Sequence, residues 1–182
     1  TVIDAGEDLM ICGLQDVALA NVSILNQNGE INWTTSGSGK FNDQHLINPT
    51  YTPSETDLIN GNVILTVTHR STGVCGMVFD EVILTISEKP EGNAGPVINT
   101  CFGEPVTIEN NYAENYSSIN WSTSGNGILE NANSISPTYY PADGETGTVQ
   151  LFMQVIGENA CGNDTIYSET ELLIYEQLII DA

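Results

Sequence analysis

Four cysteines, two glycine-rich loops and a large excess of carboxylates are the residues of this chain that could do chemistry. Cysteines bind metals, attack electrophiles or close disulfides. Zinc sites use short C-x-x-C pairs, whereas the spacings here are 75 − 12 = 63 and 161 − 101 = 60. Of three possible pairings, Cys12–Cys75 with Cys101–Cys161 is the one that repeats along the chain. Such bridges pin the incoming segment of a domain to a hairpin turn at one end of it. Closing a loop of that size stabilises a small domain by roughly 4 kcal/mol in the chain-entropy model. Disulfides persist in oxidising compartments, so an exported, extracellular location is expected.

The loops Trp33-Thr34-Thr35-Ser36-Gly37-Ser38-Gly39 and Trp121-Ser122-Thr123-Ser124-Gly125-Asn126-Gly127 carry the glycines of a phosphate cradle. No helical stripe follows either of them, and the surrounding charge repels anions, so each reads as a tight turn or bulge. His45 and His69 have no counterparts in the second half of the chain and are expected on the surface or in loops. Serines and threonines abound, yet none sits in a nucleophile elbow or a Ser/His/Asp set. Acids are everywhere, but no pair is marked out for glycoside hydrolysis. The chain reads as non-catalytic.

The reason lies in how the chain is built. Ile31-Asn32-Trp33 returns as Ile119-Asn120-Trp121, a shift of 121 − 33 = 88, and Pro49-Thr50-Tyr51-x-Pro53 returns as Pro137-Thr138-Tyr139-x-Pro141 at the same shift. Asp4-Ala5-Gly6 opens the first copy and Asn93-Ala94-Gly95 the second. Two tandem modules are expected, 1–89 and 90–178, with 179–182 beginning a third, since 93 + 88 = 181. Duplicated units of this size are typical of arrays rather than of catalysts.

Composition narrows the function classes. The chain has 24 acidic residues against three basic ones, a net charge of −21, and no Lys or Arg after Lys89. Such a surface repels phosphate backbones and anionic lipid heads, which argues against nucleic-acid and direct membrane binding. Solubility and mutual repulsion along an array are the plain reading of the charge, and divalent-cation binding the sharper one. No apolar run approaches the roughly 20 residues that span a bilayer.

Strand patterns position these residues. Val63, Leu65 and Val67 alternate with Ile64, Thr66 and Thr68, Val82, Leu84 and Ile86 alternate with Ile83 and Thr85, and the second copy repeats this at Val149, Leu151, Met153 and Val155. Period-two patterning with Asn/Gly turns and no helical stripe predicts about seven antiparallel strands per copy in two sheets. The expected fold is all-β: two tandem immunoglobulin-like antiparallel sandwiches, each with one disulfide. Trp33 and Trp121, between the cysteines, are expected as core residues, together with Tyr51 and Tyr139 at structural corners.

Ala5-Gly6-x-Asp8-x-x-Ile11-Cys12, then Ile31-x-Trp33-Thr34-Thr35-Ser36-Gly37-x-Gly39-x-Phe41, then Asn48-Pro49-Thr50-Tyr51-Thr52-Pro53-Ser54, resembles the PKD-like or Ig-like repeats of long Bacteroidota surface proteins. The resemblance covers nearly all of 4–90 and, more loosely, 93–178, where Ala142-Asp143-Gly144-Glu145 replaces Ser54-Glu55-Thr56-Asp57. It implies export by type IX secretion, a gliding-motility-associated or adhesin-like filament, and spacer modules that present binding surfaces. Neighbouring repeats, other surface proteins and surface glycans are the implied partners. Asp164-Thr165-Ile166 also resembles the O-glycosylation acceptor motif of that phylum, with Thr165 as acceptor.

Two further stretches set expectations. Tyr112 and Tyr116, among Asn111 and Asn115, have the composition that stacks on and hydrogen-bonds sugars, and would make a glycan site private to the second copy. This supports the alternative function of a carbohydrate-binding module pair. Asp4, Glu7, Asp8, Glu88, Glu91 and Asp181 fall near the module junctions and could ligate calcium, which takes six to eight oxygens.

Overall fold

The computed structural model describes residues 2–25, 28–72 and 76–176. The chain divides into two compact units, Thr1–Glu88 and Lys89–Ala182. The first contains β1 (Val2–Asp4), β2 (Leu9–Cys12), β3 (Val17–Ala18), β4 (Ser23–Leu25) and β5 (Gly29–Thr35). It continues with β6 (Lys40–Phe41), β7 (Thr50–Thr52), α1 (Glu55–Asn60), β8 (Asn62–Ser71) and β9 (Met77–Ser87). The second repeats every strand in order. These are β10 (Glu91–Asn93), β11 (Ile98–Cys101), β12 (Val106–Thr107), β13 (Tyr112–Glu114) and β14 (Tyr116–Thr123). After them come β15 (Ile128–Glu130), β16 (Thr138–Tyr140), β17 (Gly147–Gly157) and β18 (Thr165–Tyr175).

Each unit is a β-sandwich. A four-stranded sheet, β2-β9-β8-β5 or β11-β18-β17-β14, is accompanied by a three-stranded one, β3-β7-β6 or β12-β16-β15. The expected two sheets become three, because the first strand is broken. β1 pairs with β4, then the chain crosses at Gly6 and β2 joins β9 in parallel. Gly6 holds φ 93°, a left-handed conformation open to glycine, and donates its N–H to Asp4 Oδ1 at 2.9 Å. The second unit makes the same turn at Gly95, φ 89°, onto Asn93 Oδ1 at 2.8 Å. Between them Ala5 and Ala94 are buried, their N–H groups bonded to Asp80 and Ser168. The Asp/Asn-Ala-Gly signature is therefore a sheet-switching turn.

The cores follow from strand parity. On β8, Val63, Leu65 and Val67 face inward opposite Trp33 and the β9 residues Val82 and Leu84. On β17, Val149, Leu151, Met153 and Val155 do the same around Trp121. The parity continues to His69, which is fully buried, contrary to its expected surface position. It stands opposite Ile31, where the second unit places Val155 opposite Ile119. Absence of a counterpart in the other copy does not mark a residue as exposed; its place in the alternation does.

One helical turn also departs from expectation. α1 is only six residues long, capped by Ser54 in a reciprocal capping box with Asp57 and closed by Gly61 at φ 76°. It is too short to show an amphipathic stripe, so the Ser-x-x-Asp cap was its one legible signal.

The cysteines require a larger correction. Cys101 ends β11, which pairs in parallel with β18 and sets Cys101 opposite Tyr175. Cys161 lies in the turn that precedes Thr165, at the other end of that strand. Eleven strand residues separate the two ends, roughly 33 Å at the rise of a β-strand. A disulfide requires Cα atoms within about 7 Å. Cys101 is accordingly an exposed free thiol, while Cys161 is buried and disulfide-bonded, so Cys101–Cys161 is not a bridge. Cys12 is likewise disulfide-bonded, and Cys75 lies outside the described residues. Unreduced protein treated with iodoacetamide and cut with a Glu-specific protease should carry the label on Cys101 and none on Cys12 or Cys161. A Cys101–Cys161 cross-linked peptide would contradict the strand polarity described here.

Candidate functional site: a carboxylate that closes the glycine loop

The glycine loop does cradle an anion, and the anion belongs to the chain. Asp57 is fully buried at the start of α1. Its Oδ1 accepts the N–H of Ser38 at 2.8 Å, and its Oδ2 accepts the N–H of Gly39 at 2.9 Å. Oδ2 also accepts Tyr51 Oη at 2.9 Å and the Ser54 N–H at 3.0 Å. Tyr51 is itself buried, with Thr35 Oγ1 at 3.0 Å from its hydroxyl. Four donors on one buried carboxylate are what an uncompensated charge needs.

The second unit solves the same problem with a different acid. Glu145 occupies the position 57 + 88 = 145. Its Oε1 accepts the Asn126 N–H at 2.7 Å, and its Oε2 accepts Tyr139 Oη at 2.8 Å and the Ala142 N–H at 2.9 Å. Tyr139 Oη receives the Gly127 N–H at 3.0 Å. Here no helix delivers the carboxylate, and the extra methylene of Glu makes up the reach. The segment that looks divergent in sequence thus preserves the interaction.

The glycines are needed for closeness rather than for unusual dihedrals. A Cβ on Gly37 would collide with the Asp57 carboxylate, and one on Gly125 with the Tyr139 hydroxyl and Glu145. Burial pushes the Asp57 carboxyl upward, but the hydrogen bonds from Ser54, Ser38, Tyr51 and Gly39 outweigh it and hold it below the ordinary range. Glu145 is lowered in the same way, with burial opposed by Ala142, Asn126 and Tyr139. Burial, reinforced by the adjacent carboxylates, raises the Tyr51 and Tyr139 phenols, so both stay protonated and donate.

A lowered carboxyl stabilises the fold at pH values above its unfolded pKa, about 4, and that contribution disappears as pH falls through the folded value. The stability gap between the protein and its Asp57→Asn variant should therefore be constant above about pH 5 and narrow below about pH 4. Urea titrations across that range test it; a gap that widened on acidification would contradict the assignment.

The other sequence-marked residues lie apart. Trp33 and Trp121 are buried at the centres of β5 and β14. Tyr112 is exposed on β13, whereas Tyr116 packs against the core from β14. Asn111 and Asn115 spend their side-chain N–H groups on the Ile135 and Lys89 carbonyls. Asp8 accepts the Ile83 N–H at 2.8 Å, and Asp4 closes the Gly6 turn. Glu88 follows β9, Glu91 begins β10, and Asp181 lies outside the described residues. Thr165 is half-buried at the start of β18, opposite Ile156. The carboxylates of the clamp were missed because Asp57 and Glu145 differ in type and in local context.

No protein-family model and no curated protein matches the sequence. Solved structures do match the fold. The chain superposes on the titin I-band fragment I67–I69 with a TM-score of 0.58 at 14% identity, covering 96% of this chain and 65% of that one. Mouse cadherin-23 EC22–24 gives 0.58 at 14% identity, with 96% and 64% covered. The insect immune protein hemolin gives 0.51 at 16% identity, with 96% and 46% covered. This chain therefore spans less than two thirds of each of those structures. At such identities the likeness shows fold alone: two tandem immunoglobulin-like β-sandwiches, antiparallel apart from the β2–β9 and β11–β18 pairs.

Proposed function

We propose that these are non-catalytic repeat modules of a long bacterial cell-surface adhesin, which extend and stiffen the filament and present its binding surfaces. The observation that carries this reading is the parallel pairing, in both units, of a short strand near the start of the unit, β2 or β11, with the unit's last strand. β2 runs beside β9 from Leu9↔Leu84 to Cys12↔Ser87, and β11 beside β18 from Ile98↔Leu172 to Cys101↔Tyr175. The ladders are extended by Gly13 N–H to Ser87 O and Phe102 N–H to Tyr175 O, both at 2.8 Å. In a parallel pair the chain enters one strand and leaves the other at opposite ends. Tension along the chain then shears all the hydrogen bonds together instead of opening them one by one. The acidic surface favours solubility of an extended array.

Extracellular display is supported by the oxidised cysteines and by the fold shared with tandem extracellular domains. The sequence resemblance to Bacteroidota repeats supports export by type IX secretion and a role in surface adhesion or gliding. Antibody labelling of intact cells that make the parent protein tests this reading. Labelling should be strong, and should be lost when the type IX system is inactivated; labelling only after lysis would overturn it.

A further inference from the structure

We infer that the outward face of the four-stranded sheet in the second unit binds a neutral saccharide. The register of β14, β17 and β18 aligns Asn120, Gln154 and Tyr167 in one row and Ser122, Phe152 and Glu169 in the next. These positions alternate with the buried Trp121, Met153 and Val155, so all six side chains stand on the face away from the core. Together they line a hollow of about 320 Å³.

The chemistry of the hollow is specific. Tyr167 is 76% exposed and Phe152 38%, two aromatic rings in solvent on diagonal positions of adjacent strands. A ring in that setting is a platform for the C–H face of a pyranose, an apolar surface that still carries hydroxyls at its rim. The Asn120 and Gln154 amides, the Ser122 hydroxyl and the Glu169 carboxylate supply donors and acceptors at the edge of that platform, the arrangement that pairs with vicinal hydroxyls. Gln154 Nε2 donates to Tyr167 Oη at 3.3 Å, which links the amide to the platform. Charge decides the saccharide class. Glu169 faces the hollow, Glu171 stands on the same strand face beside Gln150, and no Lys or Arg follows Lys89 in the chain. Uronic acids, sialic acids and sulfated sugars are repelled, and phosphorylated ligands equally.

The first unit provides an internal control. Its corresponding residues are Asn32, Thr34, Thr66, Thr68, Phe79 and Glu81. Phe79 keeps one exposed ring, but Thr66 replaces the second ring and donates to Glu81 Oε1 at 3.1 Å, occupying the carboxylate. The site is therefore complete in the second unit only. This inference deepens the proposed function by naming a ligand class for one binding surface, and it rests on that reading only for display of the face outside the cell. A spacer array without this site would still shear as described, so the two fail separately.

The test titrates the 182-residue chain with neutral hexaoses of glucose, mannose, xylose and N-acetylglucosamine, and with hexagalacturonate, following side-chain amide resonances by NMR. At least one neutral hexaose should shift the Asn120 and Gln154 amides. Tyr167→Ala should weaken that binding about tenfold or more, while Phe79→Ala changes it by less than about twofold. Both replaced rings are exposed, so folding is retained and is verified by circular dichroism. Three results would each overturn the inference: no shift from any neutral hexaose at millimolar concentration, binding that survives Tyr167→Ala and Phe152→Ala, or equal binding of hexagalacturonate.

Discussion

Asp57→Ala is expected to destabilise the first module by about 3–5 kcal/mol, the usual consequence of removing one side of a buried, hydrogen-bonded charge cluster. The substitution leaves the N–H groups of Ser38, Gly39 and Ser54 and the Tyr51 hydroxyl without their acceptor, three of them in the loop and corner that close the sandwich. Asp57→Asn should be nearly as damaging, because its amide nitrogen turns donors against donors. Tyr51→Phe removes one of the four bonds and should cost about 1–2 kcal/mol. In the second module Glu145→Asp should also destabilise, since the shorter acid cannot span from Ala142 to Asn126 without a helix beneath it. Each module contains one tryptophan, so in a Trp121→Phe background the fluorescence of Trp33 follows the first module alone. A first-module transition unmoved by Asp57→Ala would mean that the loop closes by other means.

Trp33→Ala and Trp121→Ala should each cost about 3–5 kcal/mol in their own module. Trp33 is 1% exposed and Trp121 3%. Trp33 leans on Phe41 with ring centroids 5.9 Å apart, and Phe41 on Tyr51 at 5.0 Å, so the indole connects the core to the clamp. Leu129 takes the place of Phe41 in the second module. A domain of this size is worth only about 5–15 kcal/mol, so the loss removes a large share of its stability. Neither indole N–H has an acceptor among the described residues. Phenylalanine should therefore be tolerated better than alanine at both positions, since it deletes an unpaired donor and keeps most of the contact area. Calorimetry of the four variants would show it, with one transition displaced and the other unchanged. Two displaced transitions would mean that the modules do not fold as independent units.

These effects bear on what the sequence makes legible. Alternation places Val63, Leu65 and Val67 inside even though Ile64 between them is apolar and outward-facing, and the 88-residue recurrence marks both tryptophans and both tyrosines as equivalent. The same alternation reaches His69, but residue type outweighed position there. Disulfide pairing was the opposite case. Cysteines at cognate positions are as consistent with a duplication when they sit at opposite ends of a strand as when they touch. Only the parallel addition of β11 to β18, a long-range pairing with no local signal, separates the two. The clamp was hidden for a related reason: one carboxylate rides on a helical turn and the other on a loop, so their shared role appears only when the glycine loops are folded back onto them. The saccharide hollow draws its residues from three strands and becomes visible only once the register is known.

Stretching the two-module chain from its ends, with disulfides reduced, tests the mechanical reading most directly. The parallel strands should give two separate unfolding events, each lengthening the chain by roughly 25–30 nm as one repeat is drawn out. Proline at Leu9 and at Met10, introduced separately because alternate residues of a parallel strand donate to the ladder, should lower the force of one event in at least one of the two variants while leaving the other event unchanged. A single merged event, or forces indifferent to both prolines, would contradict a shear-loaded repeat array.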